Sequence, residues 1–557
     1  MSQSKLWVGA ALFAVMSSPA PAQQVPGGVQ PGQIERQFQS PPQSRPGGGE
    51  AVVPASTDQK PPANAASVRF VLSRLRVEGS TVYGETELQS AYAQLLGKDV
   101  SLAQIYQVAE ALTRRYRNDG YILSQVVVPA QSIRDGVIRL QVVEGFVANV
   151  RVEGLNRAPG DLVNAHLDRI RQARPLRAEA LERALLLIND LAGVTARATL
   201  SPSAQAGASD LIVSVVETPR TFALGLNNRG SKLLGPFRMT ADADFNSTFG
   251  AGERTGLRFI RTPLDSELTL FSATHERPLG TNGMKIAGSF TMSNAKPGVG
   301  PALAGLQTQS TSAQASLSYP LIRSRVQNLY LRGGLGGSDG KTDALAGTFQ
   351  QRDQIRAVRF GVTWDGVDAL RGVNIADLEY SRGMNSFGAS DRAPDGSRTN
   401  VPAGFQKLSY YAARLQSIVH KWSALGAVSG QQGLTNLLAP EQFAFGGEQF
   451  GRGHDAADLI GDSGLGLKFE LRYNDTSTGV VRDYMAYGFY DVGTITRRSP
   501  QPGELARQSA SSTGLGVRFN LQRNMSGFVE LGVPLVKTVS AEGNRNARLF
   551  AGVQANF

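Results

Sequence analysis

The sequence predicts a membrane protein of the all-β class, in which a sixteen-stranded transmembrane antiparallel β-barrel follows two small α+β units. Three observations predict this fold class. The 557-residue chain opens with a secretory signal. Residues 68–218 contain the order β-α-α-β-β twice. From residue 220 to Phe557 the chain alternates apolar and polar residues in segments of roughly ten.

Residues 1–22 have the three parts of a signal peptide. Lys5 supplies the positive charge, an apolar stretch follows, and Ala20-Pro21-Ala22 fits a small-x-small cleavage site. The apolar stretch is too short to span a membrane as a helix. The chain is therefore expected to leave the cytoplasm.

The composition excludes several kinds of site. The chain contains no cysteine, which excludes disulfides, zinc-thiolate sites, iron-sulfur clusters and cysteine nucleophiles. The four histidines have no spacing that suits a metal, and we expect each to be a surface or capping residue; they are His166, His275, His420 and His454. No cofactor is expected. The net charge of +11 is dispersed among 46 acidic residues, which favours a basic surface facing anionic lipid or lipopolysaccharide over nucleic acid.

Residues 23–66 are predicted to be a linker, since a stretch rich in Pro, Gly, Gln and Ser cannot bury enough apolar surface to fold alone. A short helix is predicted within it at residues 32–38. The two α+β units follow, at residues 67–145 and 146–218. Each takes roughly 75 residues, enough to close one small core.

In the first unit one strand is expected at residues 70–77 and one helix at residues 86–96. A second helix is expected to begin at Ser101, because Ser-Leu-Ala-Gln fits a capping box. Apolar residues recur behind it at helical spacing, so one face of this helix is expected to be buried.

The region 219–557 is predicted to be the barrel. Alternating pairs such as Leu268 and Leu270 indicate strands, and the final segment, which ends on Phe557 with every second residue apolar, is the clearest. At roughly 21 residues per strand and connection, the region divides into about sixteen strands. A barrel of that size encloses a lumen too wide for its own side chains to fill. Something must therefore occlude it.

Several local motifs indicate which protein family the chain resembles. Residues 217–220 (Glu-Thr-Pro-Arg) lead into residues 227–231 (Asn-Asn-Arg-Gly-Ser), and residues 319–325 read Tyr-Pro-Leu-Ile-Arg-Ser-Arg. Residues 441–464 contain Glu-Gln-Phe, Gly-Gly, Arg-Gly and Gly-Asp-Ser-Gly in that order. With the two α+β units, these motifs resemble the TpsB transporters of two-partner secretion, also called the ShlB/FhaC/HecB family, over residues 68–557.

The resemblance implies a location and an activity. The two units would be periplasmic POTRA domains, and the barrel would lie in the outer membrane of a Gram-negative bacterium, inserted there by the barrel-assembly machinery. The chain would secrete, and could activate, a large β-helical exoprotein such as a haemolysin or an adhesin. This TpsA-like partner would add a strand to a POTRA sheet edge, thread the barrel unfolded and fold outside. The linker helix and residues 441–464 would occupy the resting pore.

The resemblance also implies a site in the lumen. The family usually has Val-Arg-Gly-Tyr or Val-Arg-Gly-Phe at the tip of its lumen loop. Here Arg452 and Gly453 keep the core of that motif, while His454 replaces the aromatic residue. His454 would be either a simple substitute for the aromatic ring or a protonation switch near pH 6.

The partner motif on the barrel wall, Phe-x-Asp-x-Gly, is intact as Phe489, Asp491 and Gly493. Strand alternation puts Phe489 and Asp491 on one face. A guanidinium on a loop that folds back into a pore needs a carboxylate on the inner wall to hold it bidentately. We therefore expect Arg452 to pair with Asp491.

The sequence fits three other functions less well. An enzyme is not expected, because residues 336–340 fit G-x-S-x-G without a strand-turn-helix context, and residues 250–256 lack the lysine of a phosphate-binding loop. An outer-membrane insertase or assembly factor of the same superfamily is the alternative, although those proteins typically have more POTRA units and no Pro-rich leader. A passive porin would have no need of residues 68–218.

Overall fold

The computed structural model describes most of the chain, namely residues 25–44, 51–52, 59–263, 267–298, 305–344, 349–522 and 524–557. The predicted signal peptide lies outside these residues. Within them, every helix is too short or too polar to cross a membrane. The linker contains the helix α1 (Gln33–Arg36), inside the range predicted for it, and the short strand β1 (Ala51–Val52).

The first α+β unit differs from the prediction in its first half. Its elements are β2 (Arg69–Val71), β3 (Arg74–Glu78), α2 (Glu85–Gln89), β4 (Asp99–Ser101), α3 (Leu102–Asn118), β5 (Gln125–Val127) and β6 (Val137–Val143). The single strand expected at 70–77 is wrong, because β2 pairs with β4 whereas β3 pairs with β6. The helix expected at 86–96 is also shorter, because a 3-10 turn and Gly97, at a φ of +76°, return the chain to β2.

The start of α3 agrees with the sequence. Ser101 caps it: the Gln104 backbone N–H donates to Ser101 Oγ at 3.3 Å, and the Ser101 N–H donates to Gln104 Oε1 at 2.8 Å. The buried face of α3 packs into the core of the first unit through Ile105, Leu112 and Tyr116.

The second unit has the predicted order. Its elements are β7 (Phe146–Glu153), α4 (Gly160–Gln172), α5 (Ala178–Asn189), β8 (Val194–Pro202) and β9 (Ala208–Glu217). The sheet runs β1-β8-β9-β7, so the linker strand β1 adds to the edge of this unit, parallel to β8. Both helices bury their apolar faces on the sheet.

The remainder is a closed barrel of sixteen antiparallel strands, as predicted. The strands are β10 (Arg220–Asn227), β11 (Arg238–Asn246), β12 (Arg254–Arg261), β13 (Leu268–Leu279), β14 (Met284–Ala295), β15 (Gln307–Arg323), β16 (Gln327–Ala344), β17 (Phe349–Val367), β18 (Val373–Gly383), β19 (Gln406–Val419), β20 (Trp422–Gly433), β23 (Ser463–Thr476), β24 (Val481–Thr496), β25 (Arg507–Leu521), β26 (Met525–Pro534) and β27 (Arg548–Asn556). β27 pairs with β10 and closes the cylinder. The connection between β20 and β23 contains the hairpin β21 (Phe443–Phe445) and β22 (Leu459–Gly461).

The outer face of the barrel is apolar. Large side chains at alternate positions are exposed, as on β14, where Met284, Ile286, Phe290 and Met292 point outward. A band of this kind is stable only in lipid. Leu268 belongs to an alternating pair but is fully buried and faces the lumen, so the alternation identifies a strand without saying which face meets the lipid.

The second unit is attached to the rim of the barrel at which β10 begins. Arg323, in the motif at 319–325, donates two hydrogen bonds of 2.8 Å to the two carboxylate oxygens of Asp190. Lys285 Nζ donates to the Asp190 carbonyl at 2.9 Å, and Arg183 donates to the carbonyl of Pro320 at 3.2 Å. These contacts place the second unit below the lumen.

Candidate functional site

The connection between β20 and β23, residues 434–462, folds back into the barrel, and we call it the lumen loop. Phe443, Phe445 and Phe450 pack on Ile495 and Ala510 of the wall. Because the loop occupies space that a sixteen-stranded barrel cannot fill with its own side chains, it is one of the elements that occlude the pore.

Glycines let the lumen loop lie against the wall. A Cβ at Gly493 would lie 2.2 Å from the ring of Phe445, and one at Gly453 would lie 2.8 Å from Cβ of Ser512. Gly451 has a φ of +87°, which disfavours other residues. The motif glycines on the loop and on the wall therefore set how closely the tip approaches β24 and β25.

Arg452 and Asp491 are in contact, as the sequence motifs predict. Nε of Arg452 donates to Oδ2 of Asp491 at 2.9 Å, and Nη2 donates to Oδ1 at 2.6 Å. The backbone N–H groups of Gly451 and Arg452 donate to Oδ2 at 3.1 and 3.0 Å. Both side chains are 0% exposed. The tip is thus held by four hydrogen bonds to one carboxylate, in a site without access to water.

Arg452 has further partners that the sequence motifs do not indicate. Its Nη1 donates to Glu470 and lies 3.9 Å from Oε2 of Glu530, and its guanidinium stacks 3.8 Å from the ring centre of Phe489. A signal for Glu470 exists in the sequence, because Lys468, Glu470 and Arg472 recur with a period of two. Charges at every second position of a spanning strand face the lumen. Glu530 has no such flanking pattern.

The histidine prediction is wrong at two positions. His166 and His454 are 3% and 2% exposed, whereas His275 and His420 are exposed. Nδ1 of His454 lies 3.0 Å from Oδ2 of Asp458, and Nε2 lies 3.3 Å from the carbonyl oxygen of Ser511. Both partners are hydrogen-bond acceptors. Among the described residues, no cluster of His, Asp and Glu is suited to a metal ion.

The linker helix α1 lies inside the barrel, against both the wall and the lumen loop. Ile34 is fully buried in a cluster with Leu268, Ala295 and Leu306 of the barrel. Gln33 Nε2 donates to the carbonyl of Ala439, on the lumen loop, at 2.7 Å. α1 and the lumen loop therefore occlude the pore together.

Glu441 of the lumen loop joins these parts electrostatically. Its carboxylate lies 3.2 Å from Arg36 of α1, 2.6 Å from Arg359 and 2.6 Å from Lys407. Arg359 and Lys407 belong to the wall. If α1 leaves the lumen, Glu441 therefore loses its ion pair with Arg36 but keeps its two ion pairs with the wall.

A cavity of about 1320 Å³ remains on the side of α1 that faces the α+β units. Phe38, which follows α1, lines it together with Arg258, Tyr484 and Arg518 of the wall. The occluded lumen thus begins with an open vestibule on the side where the α+β units lie.

Comparison with known proteins identifies the family. Residues 207–519 match the family described as haemolysin secretion/activation protein ShlB/FhaC/HecB. The chain belongs to this family. Residues 70–145 also match the ShlB-type POTRA domain, so the first unit is a POTRA domain.

Individual members of the ShlB/FhaC/HecB family agree with this assignment. The heme/hemopexin transporter protein HuxB of Haemophilus influenzae (strain 86-028NP) is 22% identical over 453 residues, 78% of this chain and 78% of that protein. The outer membrane transporter CdiB of Escherichia coli O6:K15:H31 (strain 536 / UPEC) is 24% identical over 479 residues, 84% of this chain and 79% of that protein. The solved structure of CdiB from Escherichia coli has the same fold, with a TM-score of 0.72 at 21% identity, covering 94% of this chain and 95% of that one.

Membership of the ShlB/FhaC/HecB family establishes location and activity. The chain is a TpsB transporter of the outer membrane, with its POTRA region in the periplasm, and it secretes a TpsA-like partner protein. Secretion is therefore favoured over the insertase alternative.

Proposed function

We propose that the partner is a large exoprotein that passes unfolded through this lumen and folds into a β-helix outside the cell, as haemolysins and adhesins of two-partner systems do. The observation that carries the proposal is how the lumen is closed. α1 and the lumen loop are held to the wall by apolar packing, hydrogen bonds and ion pairs, and neither is a strand of the barrel sheet. Both can leave without opening the cylinder.

The partner would first bind the POTRA region by adding a strand to a sheet edge. Two edges are contacted by the linker: β1 pairs with β8, and the side chain of Gln59 exchanges hydrogen bonds of 2.8 and 2.9 Å with the backbone of Val128, next to β5. An arriving strand would displace the linker, which continues into α1. We also propose the domain divisions that the sequence predicts, after residues 66, 145 and 218.

Arg452 and Asp491 would keep the lumen loop in its resting position. Removal of one partner from a buried ion pair costs about 3–5 kcal/mol, because the other charge is left without compensation. The loop tip is therefore expected to leave only when the partner protein supplies competing interactions.

We propose no catalytic role for the chain. The G-x-S-x-G run at residues 336–340 lies in the middle of β16, where no strand-turn-helix elbow exposes the serine. The free energy for export would come from folding of the partner outside. We further propose that the apolar band contacts lipid, that basic residues contact lipopolysaccharide, and that the assembly machinery recognises the last strand, β27, with the exposed Phe557 that follows it.

A reversible cross-link tests the route. A Cβ at Gly340 would lie 2.5 Å from Cβ of Pro31, ahead of α1, so cysteines at these two positions need only a small shift to form a disulfide. The chain contains no other cysteine. With the exoprotein encoded beside this chain coexpressed, the oxidised Pro31→Cys/Gly340→Cys variant should release none of it to the medium, and reductant should restore release.

Each single-cysteine variant is the matched control and should secrete normally under both conditions. Normal secretion by the oxidised double variant would show that the exoprotein does not need α1 to leave the lumen, and would contradict the proposed route.

A further inference from the structure

The first and last strands of the barrel, β10 and β27, meet at a junction that we call the seam. The seam is shorter than the junction of β10 with β11. β10 pairs with β11 over its whole length, whereas its ladder with β27 runs from Ala223 to Asn227. Two backbone hydrogen bonds between Phe222 and Phe557 extend the seam at one end, and one from the N–H of Asn228 to the carbonyl of Ala551 extends it at the other. The side chain of Asn228 also joins the two strands, accepting from the N–H of Ala551 at 2.7 Å and donating to the carbonyl of Leu549 at 2.9 Å. The seam thus ends at residues 228 and 229, in the Asn-Asn-Arg-Gly-Ser motif.

Arg229 crosses this seam. It follows β10 in the chain, yet its Nη1 lies 3.1 Å from Oε1 of Glu530 on β26. Its guanidinium also stacks on the rings of Phe528 and Phe550, at 4.5 and 5.2 Å from their centres. Since Arg229 and Glu530 are 9% and 0% exposed, water screens this ion pair little.

Glu530 also faces the loop tip. Its Oε2 accepts from the hydroxyl of Tyr487 at 2.7 Å and lies 3.9 Å from Nη1 of Arg452. The Glu530 carboxylate therefore lies between Arg229 at the seam and Arg452 at the loop tip.

Departure of Arg452 affects the three surrounding carboxylates differently. Glu470 keeps Arg472 at 2.6 Å and Arg518 at 3.5 Å. Asp491 loses the four hydrogen bonds that it accepts from the tip. Glu530 keeps Arg229 and Tyr487. The attraction between Arg229 and Glu530 does not depend on Arg452, and the repulsion between the two guanidinium groups ends when the tip leaves, so Glu530 binds Arg229 at least as tightly afterwards.

We propose that Arg229 and Glu530 form a seam latch that keeps the barrel closed while the loop tip leaves the lumen. The inference deepens the proposed function, because it assumes that the tip moves during export. Arg229 is a positioning residue in this account, and the partner protein passes through a cylinder whose first and last strands stay joined.

Two readouts separate the seam latch from the tip, and neither needs the exoprotein. Amide hydrogen exchange of Leu224 and Leu226 in full-length protein in detergent reports the seam, because their N–H groups face β27, as those of Phe222 and Asn228 face the same end of the chain. Thiol labelling of a Ser512→Cys variant reports the tip, because Ser512 is fully buried under Gly453. The absence of native cysteine makes this labelling specific.

Arg229→Gln should speed seam exchange at least about tenfold, a conservative figure for loss of one partner of a buried ion pair, and should not speed thiol labelling in the Ser512→Cys background. Arg452→Ala should speed that labelling and leave seam exchange within about twofold of the unmodified chain. Arg229→Lys, which keeps the charge, should speed seam exchange less than Arg229→Gln does. A general packing defect would not produce this difference between the two variants.

Arg254→Gln is the matched control. Arg254 also pairs with a carboxylate on a neighbouring strand, Asp244, at 2.9 Å, but its strand β12 is hydrogen-bonded to neither β10 nor β27, so neither readout should change. Unchanged seam exchange in Arg229→Gln would overturn the proposal. So would equal acceleration of seam exchange by Arg452→Ala, since the tip would then be what holds the seam. If Arg229→Gln does not insert, Arg229→Lys and Arg452→Ala still decide between these outcomes.

Discussion

Asp491→Ala is the most informative single change, because four hydrogen bonds from the loop tip end on this carboxylate. The variant leaves the buried guanidinium of Arg452 without its bidentate partner. Loss of one member of a buried pair costs about 3–5 kcal/mol, and the lower end applies here because Arg452 keeps Glu470. About 3 kcal/mol corresponds to a factor of roughly 150 in the population of the displaced tip.

The assay is thiol labelling in the Ser512→Cys background, where the rate follows the population of the displaced tip if the loop opens and closes faster than the reagent reacts. Asp491→Ala should raise the labelling rate by about two orders of magnitude, and Arg452→Ala should do the same. The two changes together should add little, since either one already breaks the pair. Both variants should insert into the membrane and secrete poorly.

Asp475→Ala is the control, because Asp475 pairs at 2.6 Å with an exposed lysine, Lys421, at the periplasmic rim. It should change neither labelling nor secretion. Labelling of the Asp491→Ala variant within about twofold of the Ser512→Cys parent would refute the role given to the buried pair, and so would normal secretion by both single variants.

Three further predictions concern the barrel wall, the linker helix α1 and the second α+β unit. Gly493→Ala puts a Cβ 2.2 Å from the ring of Phe445, so the lumen loop should be destabilised by about 1–3 kcal/mol, seen as faster amide exchange of Phe443–Phe445; unchanged exchange would count against the close approach. Glu441→Gln removes the charge shared by Arg36, Arg359 and Lys407, so α1 should leave more often and conductance in planar bilayers should rise; a channel as closed as the unmodified one would disprove that role. Burial lowers the pKa of His166 in α4 to about 4, below the value near 6.5 of an unfolded chain, so the stability of the second unit should be full above pH 6.5 and fall by up to a few kcal/mol between pH 6.5 and 4. Exchange protection of α4, corrected for intrinsic rates, measures this, and His166→Gln should flatten the pH dependence; protection independent of pH would contradict it.

The sequence predicts much of the architecture, because each part carries a local signal. The two-residue period identifies the barrel strands, and the capping box at Ser101 gives the start of α3 correctly. In the first unit the sequence does not reveal that the strand expected at 70–77 divides between two partners, since only Leu72 and Ser73 separate β2 from β3. Pairing of that kind depends on long-range contacts that local pattern does not encode.

The lumen site is only partly predictable for the same reason. Arg452 and Asp491 lie in recognisable motifs. Glu470 and Glu530 reach the same guanidinium because of strand register and barrel stagger, which alternation alone does not specify. Likewise His454 is buried because the loop folds inward.

The most direct test of export through the lumen is cross-linking of the partner protein during secretion. Arg258 and Phe259 are neighbours on β12, but Arg258 lines the vestibule whereas Phe259 points outward and is 41% exposed. A photoreactive residue at position 258 should capture the partner protein in transit, and the same residue at position 259 should not. Capture from position 259, or from neither position while secretion proceeds, would contradict the account.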